Sequence, residues 1–223
     1  NRKDKIMGKT DAHGMKYVLE NGKRVPGVTT IIGGNLGWNK NVLIGWARKQ
    51  ALAGKDSNEV LRDAADTGTL AHMMVEGHIK GFKVDTADYT ANQIKRAERS
   101  FSAFLEWEEQ TDFKIILSEL TMVSEKMRVG GQIDILGKVG NRLVIADIKT
   151  SRFIYPEHKI QLAAYAYMYE EIQPKAKVDH AIVIRLDKET GNFEHHTLNR
   201  EVLDKGCEAF CYLLELHQMK KVF

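Results

Sequence analysis

The sequence is poor in cysteine, proline and long apolar runs, and each shortage excludes a class of protein. Only two cysteines and three prolines occur among its 223 residues, which argues against a proline-rich linker. Two cysteines cannot ligate an iron-sulfur cluster on their own, so no such cluster is expected. No apolar run approaches the roughly 20 residues of a membrane-spanning helix, and the N-terminus lacks the apolar segment of a secretory signal. We therefore expect a cytosolic protein without a membrane partner.

The two cysteines that are present, Cys207 and Cys211, lie four residues apart in a helical pattern. This spacing places them on one face of a helix and not across a disulfide. Free cysteine is among the most buried residue types, so we expect both side chains to be buried.

The remaining composition is that of an ordinary globular chain, with 43% hydrophobic and 28% charged residues. The length suffices for one substantial core, and we find no internal repeat, so residues 1–223 are expected to form a single domain. A net charge of +3 permits nucleic acid as a partner without requiring it.

The hydrophobic patterning changes in the middle of the chain. Residues 1–112 are predicted to be mostly helical, with a small hairpin around Asn21-Gly22. Residues 113–223 are predicted to contain three strands, a helix that opens with Pro156, two further strands and a C-terminal helix. The helices of the first half are predicted at 39–53, 57–80 and 90–110. This order of elements predicts an α/β fold with a central mixed sheet flanked by helices.

Two aspartates interrupt strand-like apolar runs in "GGQIDILGKVGNRLVIADIKTSR", residues 130–152. A two-residue turn at Gly140-Asn141 would, counting outward, place Asp134 opposite Asp147. Directly opposed residues have Cβ atoms about 4.5–5.5 Å apart, so the two carboxylates would share one small volume. Lys149 follows on the same face as Asp147, because side chains alternate along a strand.

Two neighbouring buried carboxylates repel each other, so one takes up a proton or a cation lies between them. Carboxylate oxygens, with the Ile148 carbonyl as an extra ligand, suit magnesium or manganese. A surface charge cluster or a structural ion pair is the alternative. The two strands are apolar on both faces, which is typical of a covered sheet and favours burial.

With these residues in place, the stretch resembles the PD-(D/E)XK nuclease superfamily, in which an acid and then an acid-x-Lys occupy adjacent strands. The matching pieces are "QID" and "DIK". It is similar in particular to the RecB-type exonuclease branch, which includes mitochondrial genome maintenance, phage and CRISPR-associated nucleases. That branch adds a Gln-x-x-x-Tyr helix, matched by "QLAAY", and an upstream histidine, matched by "GTLAH". The resemblance spans roughly residues 25–186.

The resemblance implies a restriction-endonuclease-like core and a metal-dependent DNA exonuclease that acts on single strands or free ends. It also implies a magnesium or manganese ion, and the residues that would hold this ion are His72, Asp134, Asp147 and the Ile148 carbonyl. The residues implied in catalysis are Asp134, Asp147, Lys149, Gln161 and Tyr165. Glu119 is a further candidate, as an auxiliary acid or a partner of Lys149.

The contacts with DNA follow less directly from the sequence. Lys95, Arg96 and Arg99 make one candidate basic face, with a solvated helix face as the alternative. Trp38 and Trp46 are candidates for stacking on bases, with core packing as the alternative. Two other functions stay open: a structure-specific or restriction-like endonuclease on the same core, and a non-catalytic DNA-binding subunit. The expected location is the cytoplasm of a bacterium or phage-infected host, with an organellar matrix left open.

Overall fold

The computed structural model describes residues 6–7, 17–220 and 222. The helices are α1 Val28–Asn35, α2 Lys40–Leu52, α3 Ser57–Lys80, α4 Ala91–Gln110, α5 Pro156–Ile172 and α6 Arg200–Met219. The short strands are β1 Ile6–Met7, β2 Tyr17–Val18, β3 Arg24–Val25 and β4 Lys83–Val84. The long strands are β5 Phe113–Ser124, β6 Val129–Val139, β7 Arg142–Lys149, β8 His180–Leu186 and β9 Phe193–Leu198. The elements expected from the patterning are present in the expected order, together with helix α1 and the short strands β1 and β4, which were not predicted.

The five long strands form one sheet in the order β5-β6-β7-β8-β9. Strands β7 and β8 run parallel, and the other three pairs are antiparallel. The sheet is therefore mixed, and the predicted α/β class is confirmed. The crossover that makes β8 parallel to β7 contains helix α5, as such connections usually do.

Helices cover both faces of this sheet. Helices α1, α5 and α6 supply one hydrophobic cluster together with strands β5 to β8. Helices α3 and α4 supply a second cluster on the other face, centred on Phe104 and Trp107. Strands β6 and β7 lie in the middle of the sheet and are buried from both sides, which explains their apolar residues on both faces.

The helix boundaries reflect local capping chemistry. Helix α3 begins after Asp56, whose carboxylate accepts a hydrogen bond from the Asn58 N–H, and it ends at Gly81 with φ 72°. Helix α4 begins with a reciprocal capping box between Thr90 and Gln93. These signals are local in the sequence, so the predicted helix boundaries agree with the observed ones within one or two residues.

Helix α1 is an element that the patterning missed. Its sequence, "VTTIIGGN", is rich in β-branched residues and glycine, which are poor helix formers. Val28, Ile31 and Ile32 are buried in the cluster with α5 and α6. Tertiary packing therefore holds this segment helical against its local propensity.

The predicted hairpin around Asn21-Gly22 is confirmed, since β2 pairs antiparallel with β3 and Gly22 has φ 81°. The expectation for the cysteines is only half correct: Cys207 is buried, but Cys211 is exposed. The buried stripe of α6 comprises Leu203, Cys207, Phe210 and Leu214. Cys211 lies beside this stripe and faces outward. Among the described helices, none has the length and apolar character needed to cross a membrane.

Candidate active site

The β6–β7 hairpin has the predicted register and opens at the two aspartates. The paired residues run from Val139 with Arg142 to Ile135 with Ala146. The ladder ends there, one position before Asp134 and Asp147. Beyond it the Ile148 N–H donates to Asp134 Oδ2 at 2.7 Å, so a side chain takes a backbone donor of β7. The strand pairing therefore stops where the Asp134 carboxylate takes the place of a backbone acceptor.

Asp147 lies deeper than Asp134 and is held by two side chains. Its side chain is only 1% exposed, and its Oδ2 lies 2.7 Å from Lys149 Nζ. This contact is a salt bridge between the Asp147 carboxylate and the Lys149 ammonium. Its Oδ1 accepts a hydrogen bond from Gln161 Nε2 at 3.1 Å. Lys149 Nζ in turn donates to Gln161 Oε1 at 3.2 Å.

Tyr165 completes this chain of contacts from helix α5. Gln161 Nε2 donates to the Tyr165 hydroxyl at 3.2 Å, one helical turn further along. The Tyr165 ring lies against Gly131 of β6 so closely that a Cβ on this glycine would be 2.4 Å from Tyr165 Cε1. The absence of a side chain at Gly131 therefore lets α5 bring Gln161 and Tyr165 onto the strand ends.

A second group of ligand-type side chains faces Asp134 from two other elements. His72 of α3, Glu119 of β5 and Asp134 each offer one atom, and these three atoms lie within 4.8 Å of one another. His72 Nδ1 lies 3.6 Å from Asp134 Oδ2. Gly68, one turn before His72, brings α3 close to the hairpin, since a Cβ there would be 3.0 Å from Thr150 Oγ1.

Glu119 reaches this group through an unusual backbone conformation. Its φ is 55°, in the left-handed region that non-glycine residues rarely adopt. Its neighbours Ser118 and Leu120 pair with Ile135 and Ile133, so Glu119 lies opposite Asp134 on the adjacent strand. Such strain costs on the order of 1–3 kcal/mol and persists at functional sites. The local backbone is therefore strained at the position where the third carboxylate approaches the site.

The electrostatics of the carboxyls show a surplus of negative charge. Burial raises the pKa of Glu119 to about 9, and Asp134 adds to this effect by repulsion. Burial also raises the pKa of Asp134, although Lys149 and the Ile148 N–H oppose it. The pKa of Asp147 rises to about 6 through burial, in spite of the attraction of Lys149. One lysine does not neutralise the buried Asp147 and the partly buried Asp134 and Glu119 when all three are ionised, and a cation would stabilise their charged forms.

The pKa values of the two basic side chains, His72 and Lys149, shift in opposite directions. Burial, followed by the charge of Lys149, lowers the pKa of His72 to about 4, so its imidazole is neutral at pH 7. Hydrogen bonding to the Ile148 backbone acts against this shift and places His72 beside the carbonyl named as a ligand. Burial alone would lower the pKa of Lys149, but Asp147 and Asp134 together raise it. Lys149 is therefore a permanent cation, and His72 is a neutral nitrogen donor.

The donor set fits a divalent metal ion. Carboxylate oxygens and one neutral imidazole are ligands that magnesium and manganese accept. Asp147 Oδ2, which lies 2.7 Å from Lys149 Nζ, is a further carboxylate oxygen next to this group. Of the ligands that the sequence predicted, His72 and Asp134 lie together with Glu119, and Ile148 is beside them. Asp147 lies outside this group of ligand atoms, and its carboxylate contacts Lys149 and Gln161. Their roles as ligands stay predictions.

The predicted basic face on α4 is partly engaged in ion pairs. Arg96 pairs with Asp63 at 2.7 Å and with Glu189 at 2.9 Å. Arg99 donates to the Glu189 carbonyl at 3.1 Å, while Lys95 is exposed. These contacts tie α4 to α3 and to the β8–β9 loop, so a DNA-binding role of the two arginines would require them to leave their partners.

The site opens into a cleft of about 530 Å³ that contains residues the sequence reasoning missed. Glu76 and Lys80 of α3 line it and form an ion pair of 2.7 Å. They follow His72 at spacings of four and eight residues, so helical periodicity could have identified them. His78 points away from this face, as its position predicts, and contacts Glu108 at 2.8 Å. The remaining polar residues of the cleft include Thr69, Thr121, Gln132 and Thr150.

Comparisons with known proteins identify one family. The sequence model of the PD-(D/E)XK nuclease superfamily matches residues 45–218. A search of curated proteins finds no match. Among solved structures, a candidate exonuclease from Eubacterium rectale is similar with 13% identity and a TM-score of 0.44. That match covers 65% of this chain and 63% of the Eubacterium rectale protein, so the chain spans less than two thirds of its length.

A second similar protein is the alkaline exonuclease LHK-Exo of Laribacter hongkongensis, for which one of two solved structures is a complex with dAMP. The match to the dAMP complex has 14% sequence identity and a TM-score of 0.36. It covers 72% of this chain and 90% of the LHK-Exo chain. Both TM-scores are below 0.5, so the family assignment rests on the sequence match.

Proposed function

This chain belongs to the PD-(D/E)XK nuclease superfamily, and from that premise we propose that it is a magnesium- or manganese-dependent deoxyribonuclease. We propose further that it acts as an exonuclease on single-stranded DNA or DNA ends. In this proposal residues 1–223 form one nuclease domain. The shared hydrophobic cluster of α1, α5 and α6 supports this, because it joins the first half of the chain to the second.

The observation that carries the proposal is the position of Asp134. Its Oδ2 accepts the Ile148 N–H at 2.7 Å and faces His72 Nδ1 at 3.6 Å. Glu119 lies within the same group of ligand atoms. A structural ion pair explains Asp134 poorly, because no lysine or arginine of the described residues forms a salt bridge with it. Its neighbours are a neutral histidine and a strained glutamate.

The nuclease family uses a divalent metal ion, and His72, Glu119, Asp134 and Asp147 would hold it here. When bound, such an ion supplies charge neutralisation at a phosphate oxygen and lowers the pKa of coordinated water. Asp134 is kept in place by the Ile148 N–H. His72 stays neutral and therefore keeps its nitrogen lone pair available as a ligand.

Lys149 and its partners orient the remaining groups. The Lys149 ammonium is held between Asp147 and Gln161, where it can stabilise the negative charge that builds on a phosphate under attack. Gln161 bridges Asp147 and Lys149, because its amide donates to the first and accepts from the second. Burial raises the pKa of Tyr165, so its hydroxyl keeps its proton and remains a donor for a DNA phosphate.

The test is digestion of DNA labelled at one end, with and without manganese. The substrates are a linear single strand, the matched duplex and a covalently closed single-stranded circle. We expect metal-dependent shortening of the linear strand and no cutting of the circle. Undiminished cutting of the circle would replace the exonuclease with an endonuclease on the same core.

Two variants of the β6–β7 hairpin assign the activity to the site. Asp134→Asn keeps an oxygen acceptor for the Ile148 N–H but removes the charge, and it should abolish cleavage while sparing DNA binding. Lys138→Ala removes an exposed cation from the other end of the same hairpin and should cleave like the parent. Equal cleavage by Asp134→Asn and the parent would refute the site, and binding without cleavage by the parent would favour a non-catalytic DNA-binding subunit.

A further inference from the structure

A second groove, of about 520 Å³, lies where α1, α2 and the start of α5 meet. The residues of this groove that matter here are Asn35, Trp38, Lys40, Leu43, Ile44 and Glu157. It shares no lining residue with the cleft of the candidate active site. The aromatic side chain in it, Trp38, is 64% exposed, which leaves a ring face available for stacking.

Helix α2, which forms one wall of the groove, is almost without packing partners. None of its 13 residues is buried within the described part of the chain. Val42, Leu43 and Ile44 are consecutive apolar residues and all exposed. Clustered exposed apolar side chains mark a contact surface more often than scattered ones do.

Two hydrogen-bond acceptors of the groove lack donors. Asn35 Oδ1 and Glu157 Oε2 are buried and have no partner among the described residues. The other carboxylate oxygen of Glu157 accepts from Asn39 Nδ2 at 2.5 Å, which fixes the orientation of the carboxylate. Unsatisfied buried acceptors are costly, so this pair calls for a ligand that brings N–H donors.

The charge of the surrounding segment favours a polyanion. Residues 21–55 contain no Asp or Glu. Their basic residues are Lys23, Arg24, Lys40, Arg48, Lys49 and Lys55. Among the described residues that line the groove, Glu157 is the single carboxylate, and Lys40 lines the groove with it. An aromatic platform within a basic segment is the combination that holds single-stranded nucleic acid.

Helix α5 connects this groove to the candidate active site. Glu157 lies in the first turn of α5, and Gln161, which contacts Asp147, follows four residues later on the same face. The separation along the helix axis is about 6 Å. A strand whose phosphate lies at Asp147 and Lys149 would therefore have a neighbouring nucleotide within reach of the groove.

We propose that the groove between α1, α2 and α5 is a subsite for one unpaired nucleobase of the DNA strand. The base stacks on Trp38, and its N–H groups donate to Glu157 Oε2 and Asn35 Oδ1. Bases with an exocyclic amino group meet these acceptors better than thymine, whose ring N–H is flanked by carbonyl acceptors. The inference rests on the proposed function for its choice of DNA, and it adds the recognition of an unpaired base at a defined place.

The test measures binding without metal, so that cleavage does not enter the result. Fluorescent oligo-dC and oligo-dT are titrated with the parent, Trp38→Ala, Trp38→Phe and Leu52→Ala in EDTA. Trp38→Ala should weaken binding of both strands roughly 5- to 150-fold, the range for loss of one stacked base. Trp38→Phe should restore most of it. Leu52→Ala is the control, because Leu52 is exposed on the same helix but does not line the groove.

Glu157→Gln tests the acceptors. The parent should bind oligo-dC more tightly than oligo-dT. This preference should shrink in Glu157→Gln. Trp38→Ala, in contrast, should weaken the binding of both strands. Equal binding by the parent and Trp38→Ala would overturn the subsite. A concentration-dependent assembly of the parent that Trp38→Ala abolishes, with DNA binding unchanged, would assign the groove to a second copy of the chain.

The failure of this inference and the failure of the proposed function are distinguishable. A parent that binds oligo-dC through Trp38 but cleaves no DNA with manganese would keep the subsite and refute the nuclease. A parent that cleaves DNA, with Trp38→Ala unchanged in both Kd and KM, would keep the nuclease and refute the subsite.

Discussion

The β6–β7 hairpin and helix α2 depart from the usual distribution of polar and apolar side chains in opposite directions. The hairpin buries charge, with Asp147 1% and Lys149 19% exposed. Helix α2 exposes apolar surface, with Val42 68% and Leu52 80% exposed. Buried charges are costly unless they are paired or bind a metal. Exposed apolar clusters have no such remedy within the described residues, so they mark a surface for contact.

The two regions also differ in how firmly the chain holds them. The charges of the hairpin are fixed by contacts from β5, α3 and α5. No side chain of α2 is buried among the described residues, so no packing contact fixes these side chains to the same degree. A rigid site suits chemistry, which needs defined positions, and a loosely held surface suits contact with a flexible single strand.

The largest effect in this comparison is expected for Lys149→Ala in the hairpin. It leaves the buried Asp147 carboxylate without a cation, and the loss of one preorganised charge lowers cleavage by about 1000-fold. Breaking a buried ion pair also costs about 3–5 kcal/mol of unfolding free energy. Initial rates and urea unfolding measure the two effects. The double variant Lys149→Ala/Asp147→Asn should regain stability but not cleavage, and a double variant no more stable than Lys149→Ala would contradict this explanation.

Gly131→Ala should have the next largest effect, because it pushes Tyr165 off the strand. The added Cβ would lie 2.4 Å from the Tyr165 ring, and such overpacking costs about 1–3 kcal/mol. Thermal unfolding should show a lower Tm, and cleavage should fall with it. Gly45→Ala is a matched control, since a Cβ there meets no atom within 4 Å. A Gly131→Ala protein as stable as the parent would show that α5 does not depend on this contact.

Much of the hairpin was readable from the sequence, and the reason lies in its local chemistry. Gly140-Asn141 fixes the turn, and the turn fixes the register that brings Asp134 near Asp147. The irregularities next to it were not readable, because they depend on other elements. The register shift between Ile115 and Leu117 and the positive φ of Glu119 arise from how β5 meets β6. No local pattern encodes either of them.

The exposure of α2 was equally beyond the sequence. Its apolar residues are typical of a packed helix, and the patterning predicts the helix itself at nearly its observed bounds. Whether the apolar side chains of a helix are buried depends on whether other helices or strands pack against them, and this is not encoded in the sequence of the helix itself. Helix α1 shows the converse, since its β-branched residues predict no helix, yet burial against α5 and α6 makes it one.

A smaller effect is expected from Glu119→Gln, through pH. Burial and repulsion from Asp134 raise the pKa of Glu119 from 4.5 to about 9. Between these values the metal-free folded protein holds a proton that the unfolded chain has released, so its free energy of unfolding falls as pH rises. In thermal melts with EDTA, the Tm of Glu119→Gln should therefore rise relative to the Tm of the parent as the pH goes from about 5 to about 9. A difference in Tm between the two proteins that stays constant across this pH range would contradict the raised pKa of Glu119.

The smallest effect is expected at the exposed helix. Val42→Ala removes an exposed side chain and should change the free energy of unfolding by less than about 0.5 kcal/mol. Ile145→Ala in the hairpin, where the side chain is fully buried, should cost about 2–5 kcal/mol. Chemical denaturation of both variants compares the regions directly. A large loss of unfolding free energy in Val42→Ala would mean that α2 is packed in solution, and the two regions would then not differ in burial.

The most direct test of the central claim is a manganese soak of crystals of the parent and of Asp134→Asn, read by anomalous scattering. The account predicts a peak in the parent within coordination distance of Asp134, with His72, Glu119 or Asp147 as further ligands, and a weaker or absent peak in Asp134→Asn. Well-diffracting parent crystals in millimolar manganese with no peak near Asp134 would contradict it.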